Sequence, residues 1–277
     1  VPAAATPKPP SASVLAPNPN AYENHLVQID SVWEDLPANH AKARKLIAEA
    51  HPEHGSLIIL PETFSTGFSM NLPVTAEPED GLTEQFLREI AAEYQSCVIG
   101  GVVMQTADGR GMNQSLAISP SGNVIARYTK NYPFSMGGEN QVHVRGKDVS
   151  VFEWQGLRIA PLICYDLRFP ELARSAVRAG AEVLIYIAAW PVKRIQHWIT
   201  LLQARAIENL CYVIGVNRCG NDPQFNYTGR SLVVDPHGII IADAAEQERV
   251  ISAQLDPAIV RDWRSQFPAL KDAGLQS

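Results

Sequence analysis

Leu157-Arg-Ile-Ala-Pro-Leu-Ile-Cys164-Tyr-Asp-Leu-Arg168-Phe-Pro-Glu-Leu-Ala-Arg174 decides how the rest of the chain is read. Its first half is apolar at nearly every position, as in a strand buried on both faces, and it stops at a cysteine. A polar turn follows, and Glu171-Leu-Ala-Arg-Ser-Ala-Val then carries a helical pattern. A strand that ends at a nucleophile and turns sharply into a helix lifts that side chain above a sheet edge, as the nucleophile elbow of serine hydrolases does. Taken alone, the stretch reads more readily as a core cysteine at a strand end. The neighbouring runs decide between the two.

Ser56-Leu-Ile-Ile-Leu-Pro61-Glu62 is a second apolar strand, and it ends at a carboxylate. In α/β sheets the carboxyl edge of the strands is where ligands bind. Val124-Ile-Ala-Arg-Tyr128 runs into Thr129-Lys130-Asn-Tyr-Pro-Phe134-Ser-Met-Gly-Gly-Glu139, a segment poor at regular structure and suited to a pocket wall or lid. Val183-Leu-Ile-Tyr-Ile-Ala-Ala189 ends at Trp190-Pro191. Further strands are expected over 25–30, 97–104, 113–119, 211–217, 231–234 and 239–242. Helices are expected over 39–50, 82–94, 197–209 and 256–267. This alternation, without a repeat or a break in composition, predicts one α/β domain over 23–277 with two packed sheets covered by helices.

With 46% hydrophobic and 19% charged residues, the 277-residue chain can bury a large core without disulfides or metals. A net charge of -6 and the lack of any basic run exclude a nucleic-acid surface. The four cysteines form no C-x-x-C pair, as in reduced cytoplasmic proteins. No apolar run approaches the roughly 18 to 20 residues that span a membrane. Residues 1–22, rich in Pro, Ala, Ser and Asn, read as a flexible arm without the apolar centre of a secretion signal. His51 and His54 flank Glu53 in a turn, but no third ligand is suggested nearby, so they read as solvated rather than metal-binding.

Three blocks carry a resemblance: Leu60-Pro-Glu62-Thr-Phe; Tyr128-Thr-Lys130 with Phe134 and Glu139; and Cys164-Tyr-Asp-Leu-Arg-Phe-Pro-Glu171. Together with Ala204-Arg-Ala-Ile-Glu-Asn209, Asn217 and Asp235-Pro-His-Gly238, they resemble the nitrilase superfamily of carbon–nitrogen hydrolases over about residues 25 to 268. Ala188-Ala-Trp190-Pro and His197-Trp198 bring the chain nearest to the ω-amidase branch in its bacterial form. The resemblance implies a four-layer αββα sandwich and homodimers that stack into an eight-layer assembly. It implies no cofactor and no metal. It also implies a catalytic set of Glu62, Lys130 and Cys164, with Glu139 as a second glutamate.

In that set Cys164 is the nucleophile, Glu62 the proton shuttle, and Lys130 with the N–H of Tyr165 the oxyanion hole, while Glu139 orients Lys130. The implied substrates are small amides carrying a distal carboxylate: 2-oxoglutaramate, 2-oxosuccinamate and succinamate. Arg168 is the expected carboxylate partner, with a structural salt bridge to Glu171 or Asp166 as the competing role. Phe134, Tyr165 and Trp190 are expected in the pocket wall. Asp166 is expected to bond turn amides beneath the nucleophile, and Arg205 to pair with Glu208. Alternatives are an aliphatic amidase, nitrilase or carbamoylase with the same catalytic set, a Cys–His hydrolase using His143 or His197, and a binding protein that kept the fold.

Overall fold

The computed structural model describes residues 21–275. Of the expected arm over residues 1–22, only Ala21 and Tyr22 are among them, and Tyr22 already opens the first strand. One mixed sheet is built from β1 (Tyr22–Gln28), β2 (Leu57–Ile59), β3 (Cys97–Gln105), β4 (Gly111–Ile118) and β5 (Val124–Thr129). A second is built from β6 (Phe152–Trp154), β7 (Leu157–Ile163), β8 (Val183–Ala188) and β9 (Tyr212–Asn217). After the hairpin β10 (Cys219–Asn221) and β11 (Asn226–Thr228), strands β12 (Leu232–Val234) and β13 (Ile240–Asp243) join the second sheet. The chain then crosses back, and β14 (Arg249–Leu255) lies antiparallel along β1. The sheet orders are β14-β1-β2-β3-β4-β5 and β13-β12-β9-β8-β7-β6.

Alternate residues of the central strands serve different layers, as a period of two requires. Leu57 and Ile59 join the core shared with the second sheet, whereas Ile58 and Leu60 pack outward with Ala43, Ile47, Leu87 and Ile90. Those outer residues come from helices Leu36–Ala50 and Leu82–Glu93. On the far side, helices Pro170–Arg178 and Ile195–Asn209 cover the second sheet through Ala173, Ala176, Trp198 and Leu202. The result is the expected αββα order of layers.

The strand directions bring the site together. β2 and β3 run parallel, and β5 returns to the same direction after the antiparallel β4, so Glu62 and Lys130 emerge at one edge. β7, β8 and β9 are parallel, so Cys164, Ala189 and Asn217 follow one another along the facing edge. The two edges meet across the sandwich, where the Ala189 N–H donates to Glu62 Oε2 at 2.8 Å.

Gly101 in β3 lies directly beneath the turn that carries Glu62. A Cβ there would stand 2.6 Å from the Thr63 nitrogen and 2.8 Å from the Glu62 Cα, both backbone atoms that cannot step aside. Gly101→Ala should therefore destabilise the fold by about 1–3 kcal/mol, as overpacking does. Urea unfolding will show it.

Candidate active site

Cys164 begins the 3₁₀ turn Cys164–Arg168 directly after β7, with φ at 47°. That left-handed conformation is costly for a residue with a Cβ. Asp166, buried below, holds the turn in place as expected: it accepts from Ile163 N at 3.0 Å, Tyr132 N at 2.9 Å and the Tyr128 hydroxyl at 2.7 Å. Burial pushes its carboxyl up to about 7, against the pull of these donors. Arg205 donates to Leu167 O at 2.7 Å and pairs with Glu208 at 3.0 Å, so it braces the same turn from behind. The Tyr165 amide lies in the first turn of this helix, where an N–H has no acceptor within the helix.

Lys130 leaves β5 into the seam between the sheets. Its Nζ lies 2.7 Å from Glu62 Oε1 and 2.7 Å from Glu139 Oε2, and all three side chains are buried. Asn113, at the start of β4, completes a closed ring by donating to Glu62 Oε1 at 2.7 Å and to Glu139 Oε1 at 2.8 Å. Glu139 also accepts from the Phe134 N–H at 2.6 Å and has His143 Nδ1 at 3.3 Å. Burial pulls the Lys130 ammonium down, but Glu139 and Glu62 outweigh it and hold the ammonium above its ordinary value. Burial raises the Glu139 carboxyl, yet Lys130 overrides this, with His143 assisting, and lowers it to about 2. Burial first, then the Glu62 carboxylate, pushes the Cys164 thiol well above its usual range. The Glu62 carboxylate beside the thiol is placed to accept its proton.

Over Cys164 opens a narrow, partly enclosed pocket. Phe134, Tyr165, Arg168 and Trp190, all expected, line it. Arg168 makes no ion pair with Glu171 or Asp166 among the described residues. Its guanidinium instead stacks over Trp190, 4.8 Å from the ring centroid, and lies 3.3 Å from His197 Nδ1. Sequence reasoning missed Asn113, Phe68, Phe225 and Arg194. The polar start of β4 carried no motif, and Phe68 and Phe225 arrive from loops. Arg194 had a signal, since it follows Trp190 by the four residues that separate Arg168 from Cys164. Neither histidine of the Cys–His alternative serves the sulfur: His143 sits behind Glu139, and His197 belongs to Arg168. Among the described residues no group of three or more His, Cys, Asp or Glu could hold a metal ion, and no helix is long and apolar enough to cross a membrane.

The pattern defining the carbon-nitrogen hydrolase family matches residues 26–265, so the chain belongs to that family. It is 38% identical over 249 residues to the omega-amidase YafV of Yersinia enterocolitica, covering 89% of this chain and 94% of that one. It is 31% identical to the 2-oxoglutaramate amidase of Bacillus subtilis strain 168, over 85% of this chain and 92% of that one. Among solved structures it superimposes with a TM-score of 0.85 on XC1258 from Xanthomonas campestris, a CN-hydrolase superfamily protein with an arsenic adduct in its active site. The two are 35% identical, over 91% of this chain and 97% of that one.

A carboxyl lowered on folding leaves the native state with fewer bound protons than the unfolded chain. The stability this contributes is complete above the unfolded value near 4.5 and is lost as pH falls towards 2. Glu139→Gln removes that titration. Its unfolding free energy, lower than wild type at neutral pH, should fall less steeply between pH 5 and 3, by at most about 1.4 kcal/mol per pH unit. Calorimetry across that range measures it.

Proposed function

We propose that this carbon–nitrogen hydrolase cleaves the terminal amide of short dicarboxylate monoamides, of the 2-oxoglutaramate, 2-oxosuccinamate and succinamate type, to the acid and ammonia through a thioester on Cys164. The observation that carries the reading is the single pocket-facing thiol, with a carboxylate to take its proton and a buried ammonium beside it. The names borne by the relatives, omega-amidase and 2-oxoglutaramate amidase, support the substrate class.

Glu62 accepts the thiol proton as the sulfur attacks the amide carbon. The oxyanion that forms is held by Lys130 Nζ and the Tyr165 N–H. As the C–N bond breaks, Glu62 returns the proton to the departing nitrogen and ammonia leaves. Water then attacks the thioester, Glu62 takes its proton, the C–S bond breaks, and the proton goes back to sulfur. Glu139 and Asn113 keep Lys130 and Glu62 in register throughout. A homodimer and a cytoplasmic location belong to the same reading. Exposed Ile207 and Ile239, which flank Gly238, offer an apolar contact face, and the four cysteines are free, as in a reducing compartment.

The test is intact mass spectrometry of acid-quenched protein mixed with 2-oxoglutaramate or succinamate, with ammonia assayed alongside. Wild type should carry an acyl adduct and release ammonia steadily, and Cys164→Ala should do neither. Glu62→Gln should lose about 10²- to 10⁴-fold in turnover. Neither adduct nor ammonia from either amide would remove the substrate class, and an adduct from simple aliphatic amides alone would make the chain an aliphatic amidase.

A further inference from the structure

The pocket has two electrically different ends. At the floor, Glu62 and Glu139 outnumber Lys130, leaving a formal charge of one negative. Among the described residues that line the pocket stand two guanidinium groups, at its mouth, and no carboxylate. Arg194 ends the 3₁₀ turn Val192–Arg194 after β8, as Arg168 ends the turn after the neighbouring β7. Its backbone is pinned by the Trp190 indole N–H, which donates to Arg194 O at 2.8 Å. Its guanidinium lies over Phe134, 5.3 Å from the ring centroid, and forms part of the same wall as Cys164, Arg168 and Trp190. Among the described residues neither Arg194 nor Arg168 has an ion-pair partner, and Arg168 has His197 Nδ1 at 3.3 Å. The two cations lie close enough for Arg194 to act against the charge on Arg168. A guanidinium stacked on an aromatic face keeps its in-plane N–H groups free for an anion.

We propose that Arg194 is a specificity-determining residue: with Arg168 it forms a two-arginine clamp for the distal carboxylate of the substrate. This rests on the dicarboxylate-monoamide reading above. The charge asymmetry then sets polarity as well as affinity. A substrate carboxylate is repelled from the two floor glutamates and drawn to the mouth, which presents the uncharged amide to Cys164.

The test compares succinamate with butyramide, an uncharged amide of the same chain length, in wild type, Arg194→Gln, Arg194→Lys and Arg168→Gln. Arg194→Gln should lose about 10- to 100-fold in kcat/KM for succinamate, mostly through KM, the scale of a lost charge-assisted hydrogen bond. The loss for butyramide should be much smaller, so the preference for the anionic amide collapses, and Arg194→Lys should recover part of it. An unchanged KM for succinamate, or an equal loss on both amides, overturns the clamp while leaving the dicarboxylate reading in place. Calorimetric titration of succinamate into Cys164→Ala, with and without Arg194→Gln, reads the same contact without turnover. If wild type neither hydrolyses succinamate and 2-oxoglutaramate nor binds them as Cys164→Ala, both readings fall. Melting temperatures identify any variant that has failed to fold, in which case Arg194→Met takes the place of Arg194→Gln.

Discussion

The Lys130 ammonium, drawn out of water into the seam between two sheets, is tolerable only because two carboxylates and a carboxamide close around it. A buried charge that loses one partner costs about 3–5 kcal/mol, so neither Glu62 nor Glu139 is dispensable to the ammonium they share. Each of the three comes from a different part of the first sheet or its loops: the end of β2, the end of β5, and a single-turn helix after the 134–138 loop. Asn113 adds the start of β4. The ring thus binds four segments together at the edge where the second sheet delivers Cys164. Fold and site depend on the same contacts there.

The second sheet answers with restraints of its own. Asp166 joins the Cys164 turn to Tyr128 of the opposite sheet, and Asn217 accepts from Trp190 N at 2.7 Å and donates to Trp190 O and Gly229 O. These bonds hold the ends of β7, β8 and β9 in one plane beneath the cavity. The turn at Cys164, bent into a left-handed conformation, keeps its shape because amides and side chains on every side over-determine it.

What could be read from residues and what could not follows from the range of each signal. The runs at 56–60, 157–163, 183–188 and 212–217 hold central strands buried at every position but Arg158, and such strands write themselves as nearly continuous hydrophobicity. β14 escaped notice because it is an edge strand: Arg249-Val-Ile-Ser-Ala-Gln-Leu is half exposed, and only its antiparallel register with Tyr22–Gln28 makes it a strand. Helix Leu36–Ala50 begins three residues before its apolar spacing is visible, since Asp35 caps it through the Ala38 N–H. Glu62, Lys130, Glu139 and Cys164 stood out because each sits in or beside a motif. Asn113 had no such mark; its importance comes from a neighbour 51 residues away in sequence.

The raised thiol of Cys164 bears on how long such a protein lasts in an oxidising environment. Peroxide and its relatives attack the thiolate, and the oxidation that follows passes from reversible to irreversible states. Burial and the Glu62 carboxylate push this thiol up, away from the thiolate, and burial does the same deep in the core to Cys97 and to Cys211, whose thiol is pushed up to about 12. A thiol raised in this way gives up the standing reactivity of a low-pKa cysteine and gains chemical durability in exchange.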